Sequence, residues 1–160
     1  TLKYFKIQDE ALVSRLSDAY VQISPLQTAL FPEAIETLQA LQQMGYQLHI
    51  ITNGFQEVQF IKLENCGLRA FFDVIVCTEF VGKNKPEPAI FNYAMNQANA
   101  IPAYSIMIGD DYHVDVAGAL RAGMQAVWFD PTAKNSYGYE HAITKLSELL
   151  TLVPRLSLTH

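Results

Sequence analysis

The sequence lacks any apolar run that approaches the roughly 20 residues needed to cross a bilayer. Residues 1–8 have neither the charged start nor the apolar core of a signal peptide. Cationic side chains are scarce, since 11 Lys and Arg stand against 16 Asp and Glu and give a net charge of −5. Nucleic acid polymers and anionic membranes attract basic surfaces, so neither is expected as the main partner. These absences favour a cytoplasmic protein.

Cysteine is also rare. Cys66 and Cys77 are the only two, and neither stands in a Cys-x-x-Cys or Cys/His metal pattern. We interpret both as small buried apolar side chains. The 160 residues, 50% of them apolar, fit one domain with a substantial core.

Short β-branched apolar segments alternate with amphipathic segments along most of the chain. The predicted strands are 47–52, 74–78, 105–109 and 125–129. The predicted helices are 32–44, 55–65, 88–97 and 114–122. This alternation predicts an α/β fold, a doubly wound parallel sheet with helices on both faces.

The two ends of the chain differ from this pattern. Leu12, Leu16 and Ile23 predict an early amphipathic helix, with Asp9 as its cap. Residues 1–28 therefore form an accessory element, and residues 29–160 form the core. A terminal helix is predicted over residues 140–150, and no element is predicted beyond Pro154.

Polar side chains follow three of the predicted strands. Thr52-Asn53-Gly54 ends the first strand, Lys85 follows the second, and Asp110, Asp111 and Asp115 follow the third. The carboxyl ends of parallel strands meet at one edge of a sheet, where ligands bind. We expect these groups to share one site.

Each group also has a purely structural interpretation. Asn53 and Gly54 are ordinary turn residues, and Lys85 precedes a proline near a helix start. Asp111 could cap a helix, and Asp115 could favour its first turn. Three acids this close nevertheless repel one another unless a positive charge neutralises them.

Together the groups suit a phosphoryl site. The Thr52 hydroxyl and the amides of Asn53 and Gly54 supply hydrogen-bond donors, and Lys85 supplies positive charge. Asp110, with Asp115 or Asp111, supplies carboxylate oxygens for a hard cation. Mg²⁺ fits best, because it keeps waters and substrate phosphate among its ligands.

In this order and on these strands, the motifs resemble those of the haloacid dehalogenase superfamily of phosphohydrolases. The flanking segments Phe71-Phe72-Asp73 and Gly118-Ala119 are also similar, so the resemblance covers about residues 30–130. It is strongest to the helical-cap subgroup, which includes nucleotidases and phosphoglycolate-type phosphatases. Residues 1–28 would then be the carboxyl-terminal remnant of that cap.

The resemblance implies a role for each group. Thr52 would bind the transferring phosphoryl group, with Asn53 and Gly54 beside it, and Lys85 would steady the nucleophile and the phosphate. Asp110 and Asp115 would hold Mg²⁺. Asp111 occupies a position that is often serine or asparagine in relatives, so no direct metal role is expected for it. The expected substrate is a small phosphorylated metabolite or nucleotide.

One family motif is missing. The family carries an Asp-x-Asp whose first aspartate is the covalent nucleophile and whose second is the general acid, and this sequence contains none. In the family that motif ends a central strand, between the strands that here end at Thr52 and Gly109. Our hypothesis is that the chain is the carboxyl-terminal part of a longer hydrolase and is inactive alone. Its exposed strand edges would favour domain-swapped oligomers.

Two other function classes compete with this interpretation. A phospho-receiver signalling domain also combines aspartates, threonine, lysine and Mg²⁺, but there the acids come first, whereas Asp110 follows Thr52 and Lys85. A non-catalytic binding or assembly module could retain a relic of the phosphate and metal site.

Overall fold

The computed structural model describes residues 4–157, so residues 1–3 of the predicted cap remnant and 158–160 of the predicted core lie outside it. The elements in chain order are α1 (Glu10–Ile23), α2 (Ala34–Gln43), β1 (His49–Thr52), α3 (Gln56–Asn65), β2 (Val74–Cys77), α4 (Thr78–Val81), α5 (Pro88–Gln97), β3 (Ile106–Gly109), α6 (Ala117–Arg121), β4 (Gln125–Phe129), β5 (Ala142–Ile143) and α7 (Leu149–Ser157). A π-helical turn, Tyr112–Val116, leads into α6. The strands are parallel throughout, which confirms the predicted α/β fold.

The strands form two separate sheets. One has the order β1-β2, with Thr52 opposite Cys77, and the other has the order β3-β4-β5, with Gly109 opposite Trp128. Within residues 4–157, β1 and β3 each pair along one edge only. The expected single continuous sheet is therefore divided between these two strands, where the resemblance places the missing central strand.

An apolar cleft of about 780 Å³ lies between the two free edges. Ile50 and Ile51 of β1 line it on one side, and Ile106 and Ile108 of β3 line it on the other. Leu41 of α2 is among the further lining residues. We call this space the inter-sheet cleft.

Helices cover both faces of the three-stranded sheet. Alternate residues of β4 point to opposite faces, as strand geometry requires. Trp128 packs with Phe91 of α5 and Val116, whereas Val127 packs with Leu41 of α2 and with α7. This two-sided cover confirms the doubly wound arrangement and fixes the loops that leave the carboxyl ends of the strands.

The amino-terminal helix forms as predicted but buries no side chain. The Asp9 carboxylate caps α1 by accepting a hydrogen bond from the Leu12 amide at 2.9 Å. Contacts to α3 hold this region: the Tyr20 and Phe55 rings lie 6.3 Å apart, and Asn65 donates to the Pro25 carbonyl. Within residues 4–157, no helix is both long and apolar enough to traverse a lipid bilayer.

The prediction for the last helix is wrong in position. Ala142 and Ile143 form β5, and α7 occupies Leu149–Ser157 with Pro154 inside it. A proline inside a helix costs about 3 kcal/mol. Leu149 and Val153 are both buried against the sheet, and this burial offsets the cost.

Asp130 anchors the loop that connects β4 to β5. Its carboxylate accepts hydrogen bonds from the Thr132 hydroxyl and the Asn135 amide, both at 2.7 Å. These two bonds, the hydroxyl bond first, lower the pKa of Asp130, because they favour the ionised form. The ionised carboxylate thus organises a segment that has little regular secondary structure.

This anchor makes stability depend on pH. Because the pKa of Asp130 is lower in the folded chain than in the unfolded chain, its stabilisation is complete above the unfolded pKa. It is lost as the pH falls through the lowered folded pKa. We expect Asp130→Asn to reduce the melting temperature at neutral pH, and the difference from wild type to shrink on acidification. Asp18→Asn, which removes an exposed acid from α1, should show no such narrowing.

Candidate active site

Asn53 ties the end of β1 to the loop that carries Lys85. Its side-chain oxygen accepts a hydrogen bond from the Lys85 amide at 2.8 Å, and its side-chain nitrogen donates to the Lys85 carbonyl at 3.1 Å. A single amide side chain thus satisfies both main-chain groups of Lys85. The Asn53 side chain therefore positions Lys85, a role that the sequence prediction did not include.

Thr52 and Gly54 form a tight turn at the same strand end. The Thr52 hydroxyl oxygen accepts a hydrogen bond from the Gly54 amide at 3.1 Å. Among residues 4–157 the Thr52 hydroxyl has no acceptor, so its hydrogen can be donated to a ligand. Phosphate binding by the Gly54 amide stays a prediction, and it requires this internal bond to exchange for one to the ligand.

Lys85 makes a short ion pair with Asp115. The Lys85 ammonium nitrogen lies 2.6 Å from Asp115 Oδ1, and the two side chains are 12% and 6% exposed. The other Asp115 oxygen accepts a hydrogen bond from the Asp111 amide at 3.1 Å. Both oxygens of this buried carboxylate are engaged, and the pair joins the loop after β2 to the loop after β3.

Gly109 makes this arrangement possible, because Asp115 lies directly against it. A Cβ atom added to Gly109 would lie 2.3 Å from Asp115 Oδ2 and 2.4 Å from its Cβ and Cγ. No side chain can occupy that space. The glycine that precedes the acids is therefore needed for the close approach of Asp115 to the strand end.

The other two acids have different roles. Asp111 caps the following π-helical turn, since its carboxylate accepts hydrogen bonds from the amides of His113 and Val114 at 3.0 and 2.9 Å. Asp110 is exposed at the strand end, and its carbonyl accepts a hydrogen bond from the Trp128 indole at 3.0 Å. The structural interpretation of Asp111 thus holds. Both residues are exposed, but one Asp111 carboxylate oxygen is engaged in this cap.

The donor chemistry suits a hard cation, but the set is small. No group of three or more His, Cys, Asp or Glu within the described part of the chain could hold a metal by itself. Mg²⁺ commonly takes only one or two protein carboxylates and completes its shell with waters and phosphate. Asp110 with Asp115 is a set of that size, but both Asp115 oxygens already accept hydrogen bonds, so Mg²⁺ binding by this pair stays a prediction.

The structure therefore joins three strand-end motifs that lie far apart in the sequence. Direct hydrogen bonds join the Thr52-Asn53-Gly54 turn to Lys85, and Lys85 to Asp115. Motif reasoning missed two contacts, the bonds between the Asn53 side chain and the Lys85 main chain and the bond from the Trp128 indole to the Asp110 carbonyl. An asparagine directly after a strand was a visible signal for the first, whereas nothing near Trp128 in the sequence indicated its partner.

The sequence profile of the haloacid dehalogenase-like hydrolases matches residues 1–129. That match covers most of the chain and includes the strand-end motifs described above. The chain belongs to the haloacid dehalogenase-like hydrolases.

Curated relatives of this haloacid dehalogenase-like chain are phosphatases. It is 33% identical over 149 residues to the ribulose-1,5-bisphosphate 5-phosphatase of Halopiger xanaduensis, and this match covers 86% of this chain and 62% of the relative. It is 35% identical over 117 residues to a pyrimidine 5′-nucleotidase of Escherichia coli, a match that covers 72% of this chain and 52% of the relative. Identity to the glyceraldehyde 3-phosphate phosphatase of Pyrococcus furiosus is 35% over 130 residues, covering 78% and 54%. The chain spans between half and two thirds of the length of these relatives.

Solved structures show the same fold. The chain superposes on a HAD phosphatase from Thermococcus onnurineus with a TM-score of 0.76 and 34% identity, covering 95% of this chain and 68% of that one. A Bacillus subtilis protein described as a HAD-hydrolase bound to magnesium gives a TM-score of 0.82 at 28% identity, covering 96% and 67%. The predicted family and the hydrolase class are thereby confirmed for this haloacid dehalogenase-like chain.

Proposed function

We propose that this chain carries the phosphate-binding and magnesium-binding part of a Mg²⁺-dependent phosphohydrolase. The observation that supports this most directly is the 2.6 Å contact between Lys85 and Asp115, which joins two strand-end loops at one site. A buried ammonium next to carboxylates is suited to stabilise the charge of a transferring phosphoryl group. A non-catalytic module that retains a relic of the site would carry the same contact, but the phosphatases among the relatives favour the hydrolase.

Each residue has a defined task in this proposal. Thr52 donates its hydroxyl to a phosphoryl oxygen, assisted by the main-chain amide of Asn53 and, after exchange of its internal bond, that of Gly54. Lys85 places its positive charge between phosphate and Asp115. Asp110 with Asp115 would hold Mg²⁺, which neutralises phosphate charge when bound.

The nucleophile has to come from outside the residues described. Covalent catalysis through an aspartyl-phosphate needs an Asp-x-Asp, and the sequence has none. We therefore propose that the chain alone lacks turnover, and that the activity belongs to a protein in which this motif is supplied. The cytoplasmic location and the absence of a nucleic acid or membrane partner are part of the same proposal.

The proposed substrate is a small phosphorylated metabolite or nucleotide. The relatives are phosphatases of ribulose-1,5-bisphosphate and glyceraldehyde 3-phosphate and a pyrimidine 5′-nucleotidase, whose named substrates are all small phosphate esters. Residues 1–28 are proposed to be the carboxyl-terminal part of a helical cap, and residues 29–160 the core domain. A domain-swapped homo-oligomer is proposed as one way to cover the free strand edges.

The cation site can be tested by calorimetric titration of the chain with Mg²⁺. We expect Asp110→Asn to abolish detectable binding, because it removes the charge of the exposed carboxylate that is proposed to hold the ion. Asp73→Asn is the matched control, since it removes an equivalent exposed acid at the opposite end of β2. Equal Mg²⁺ affinity in wild type and Asp110→Asn would refute the site.

A further inference from the structure

We propose that Trp128 is a positioning residue for Asp110, held in place by a cage of tyrosine rings. The inference deepens the proposed magnesium site and rests on it. Trp128 is 6% exposed, and its indole N–H donates to the Asp110 carbonyl at 3.0 Å. An indole nitrogen can only donate, so the direction of this bond is unambiguous. It fixes the main chain of the residue whose carboxylate faces solvent.

The rings around Trp128 restrict its rotation. The Tyr112 ring lies 5.5 Å from the indole at 68°, and the Tyr137 ring lies 5.5 Å away at 60°. Tyr112 and Tyr137 stack on each other at 4.2 Å with their planes 10° apart. Such aromatic pairs add stabilisation beyond their buried area. We call the two tyrosines around Trp128, Tyr112 and Tyr137, the aromatic cage.

The two tyrosines of the cage come from two different loops. Tyr112 immediately follows the acids after β3, whereas Tyr137 belongs to the loop that Asp130 anchors after β4. Tyr139 ends that loop, contacts Tyr112 at 5.8 Å, and donates its hydroxyl to the Ala126 carbonyl at 3.0 Å. The Asp130 carboxylate fastens the loop before Tyr137, and after Tyr137 it is the ring of Tyr139, which Tyr139→Phe retains, that contacts Tyr112. Tyr137 itself is 49% exposed.

This arrangement acts on Asp110 through its main chain. A carboxylate that binds a cation loses freedom when it does so, and prior restraint of its backbone lowers that loss. Groups outside the first coordination shell typically change metal affinity by about 10–100-fold when they are removed. The Trp128 indole N–H donates to the Asp110 carbonyl and cannot bind a cation, so Trp128 tunes affinity without contributing a metal ligand.

The experiment uses the whole chain and compares two conservative variants. Trp128→Phe removes the indole donor and keeps an aromatic ring, and we expect it to weaken Mg²⁺ binding about tenfold in calorimetric titration. Tyr139→Phe also removes one buried hydrogen bond from the same region, but that bond goes to Ala126. Its Mg²⁺ affinity should stay within about twofold of wild type, since no outer-shell contact to the acids is lost. Equal affinity in wild type and Trp128→Phe would overturn the proposal.

Two further readouts separate this inference from the proposed metal site. Trp128 is the only tryptophan, so its fluorescence should change saturably with Mg²⁺ in wild type and stay constant in Asp110→Asn. Without metal, amide hydrogen exchange over residues 109–114 should accelerate in Trp128→Phe and not in Tyr139→Phe. If wild type binds no Mg²⁺, the proposed metal site fails, and the exchange result alone then supports or overturns the positioning role.

Discussion

Replacing Lys85 with methionine is expected to lower the free energy of unfolding by about 3 kcal/mol, the lower end of the range for breaking a buried ion pair. The reason is Asp115, whose side chain is 6% exposed and would lose the ammonium 2.6 Å away. The remaining hydrogen bond from the Asp111 amide offsets part of the loss. Urea unfolding at neutral pH measures the change.

Two companion variants make this result specific. Lys83→Met removes an exposed lysine from the same loop and should change stability by less than about 0.5 kcal/mol. In the double variant Lys85→Met with Asp115→Asn, the uncompensated charge is gone, so most of the stability should return. If the double variant is as unstable as Lys85→Met alone, the loss comes from packing and the ion pair is not its cause.

Filling the inter-sheet cleft with an apolar strand that ends in Asp-x-Asp is expected to give the chain phosphatase turnover. Parallel edges of β1 and β3 face the cleft without strand partners in the described residues. Ile50 and Ile108 show how apolar its walls are. A peptide strand would supply hydrogen bonds to both edges and bury these walls. It would deliver its aspartates where the strands end, near Lys85 and Asp110.

Polar atoms that line the inter-sheet cleft also indicate that it accepts an occupant. Thr37 Oγ1 and His49 Nδ1 are buried without a hydrogen-bond partner within residues 4–157, and both residues line the cleft. Burial also lowers the pKa of His49, with Asp73 acting weakly in the opposite direction. Buried polar groups without partners are costly, so an occupant that satisfies them binds more tightly.

Matched peptides separate binding from chemistry. The Asp-x-Asp peptide should raise the melting temperature and yield measurable hydrolysis of p-nitrophenyl phosphate with Mg²⁺. An otherwise identical Asn-x-Asn peptide should raise the melting temperature equally and give no turnover, because the nucleophile is lost. A scrambled peptide should do neither. Turnover by the chain without any peptide, abolished by Asp110→Asn, would show that the nucleophile lies within these residues.

Local sequence patterns predicted much of the fold correctly. The β4 strand and α5 have the predicted limits, and β1 and β3 end at the predicted residues Thr52 and Gly109. Gly45 also ends the segment after α2, at a φ of 88°. The helical spacing of Ile35, Leu38, Leu41 and Met44 predicts one buried face for this segment. Ile35 and Met44 are instead 38% and 46% exposed, and Thr37 is buried with Leu41.

The errors occur where distant contacts decide the structure. The helical spacing of Ile143, Leu146 and Leu150 predicts a helix over this segment. In the structure, Ile143 instead belongs to β5, which pairs with β4. The Trp128 amide donates to the His141 carbonyl and the Asp130 amide donates to the Ile143 carbonyl. Two residues carry too little local signal to predict such pairing. The link between Trp128 and Asp110 escapes sequence reasoning for the same reason.

The site was predicted as a set of motifs, but its internal connections were not. Position after a strand was enough to place Thr52, Lys85 and Asp110 at one edge of the fold. Whether Lys85 would contact Asp115 or a ligand depends on side-chain distances of a few ångströms, which composition and spacing do not encode. The roles of Asn53 and Gly109 also depend on contacts that the sequence does not encode, since each residue contacts another loop or turn.

The Lys85–Asp115 pair has a mechanical consequence. Lys85 extends from the two-stranded sheet and Asp115 from the three-stranded one, so their bond bridges the inter-sheet cleft at the end where the strands finish. This bond restrains the two sheets at that end, so we expect any separation of them to be larger at their amino-terminal ends. A strand would therefore enter from the side of His49 and Ile106 and advance toward the bridge.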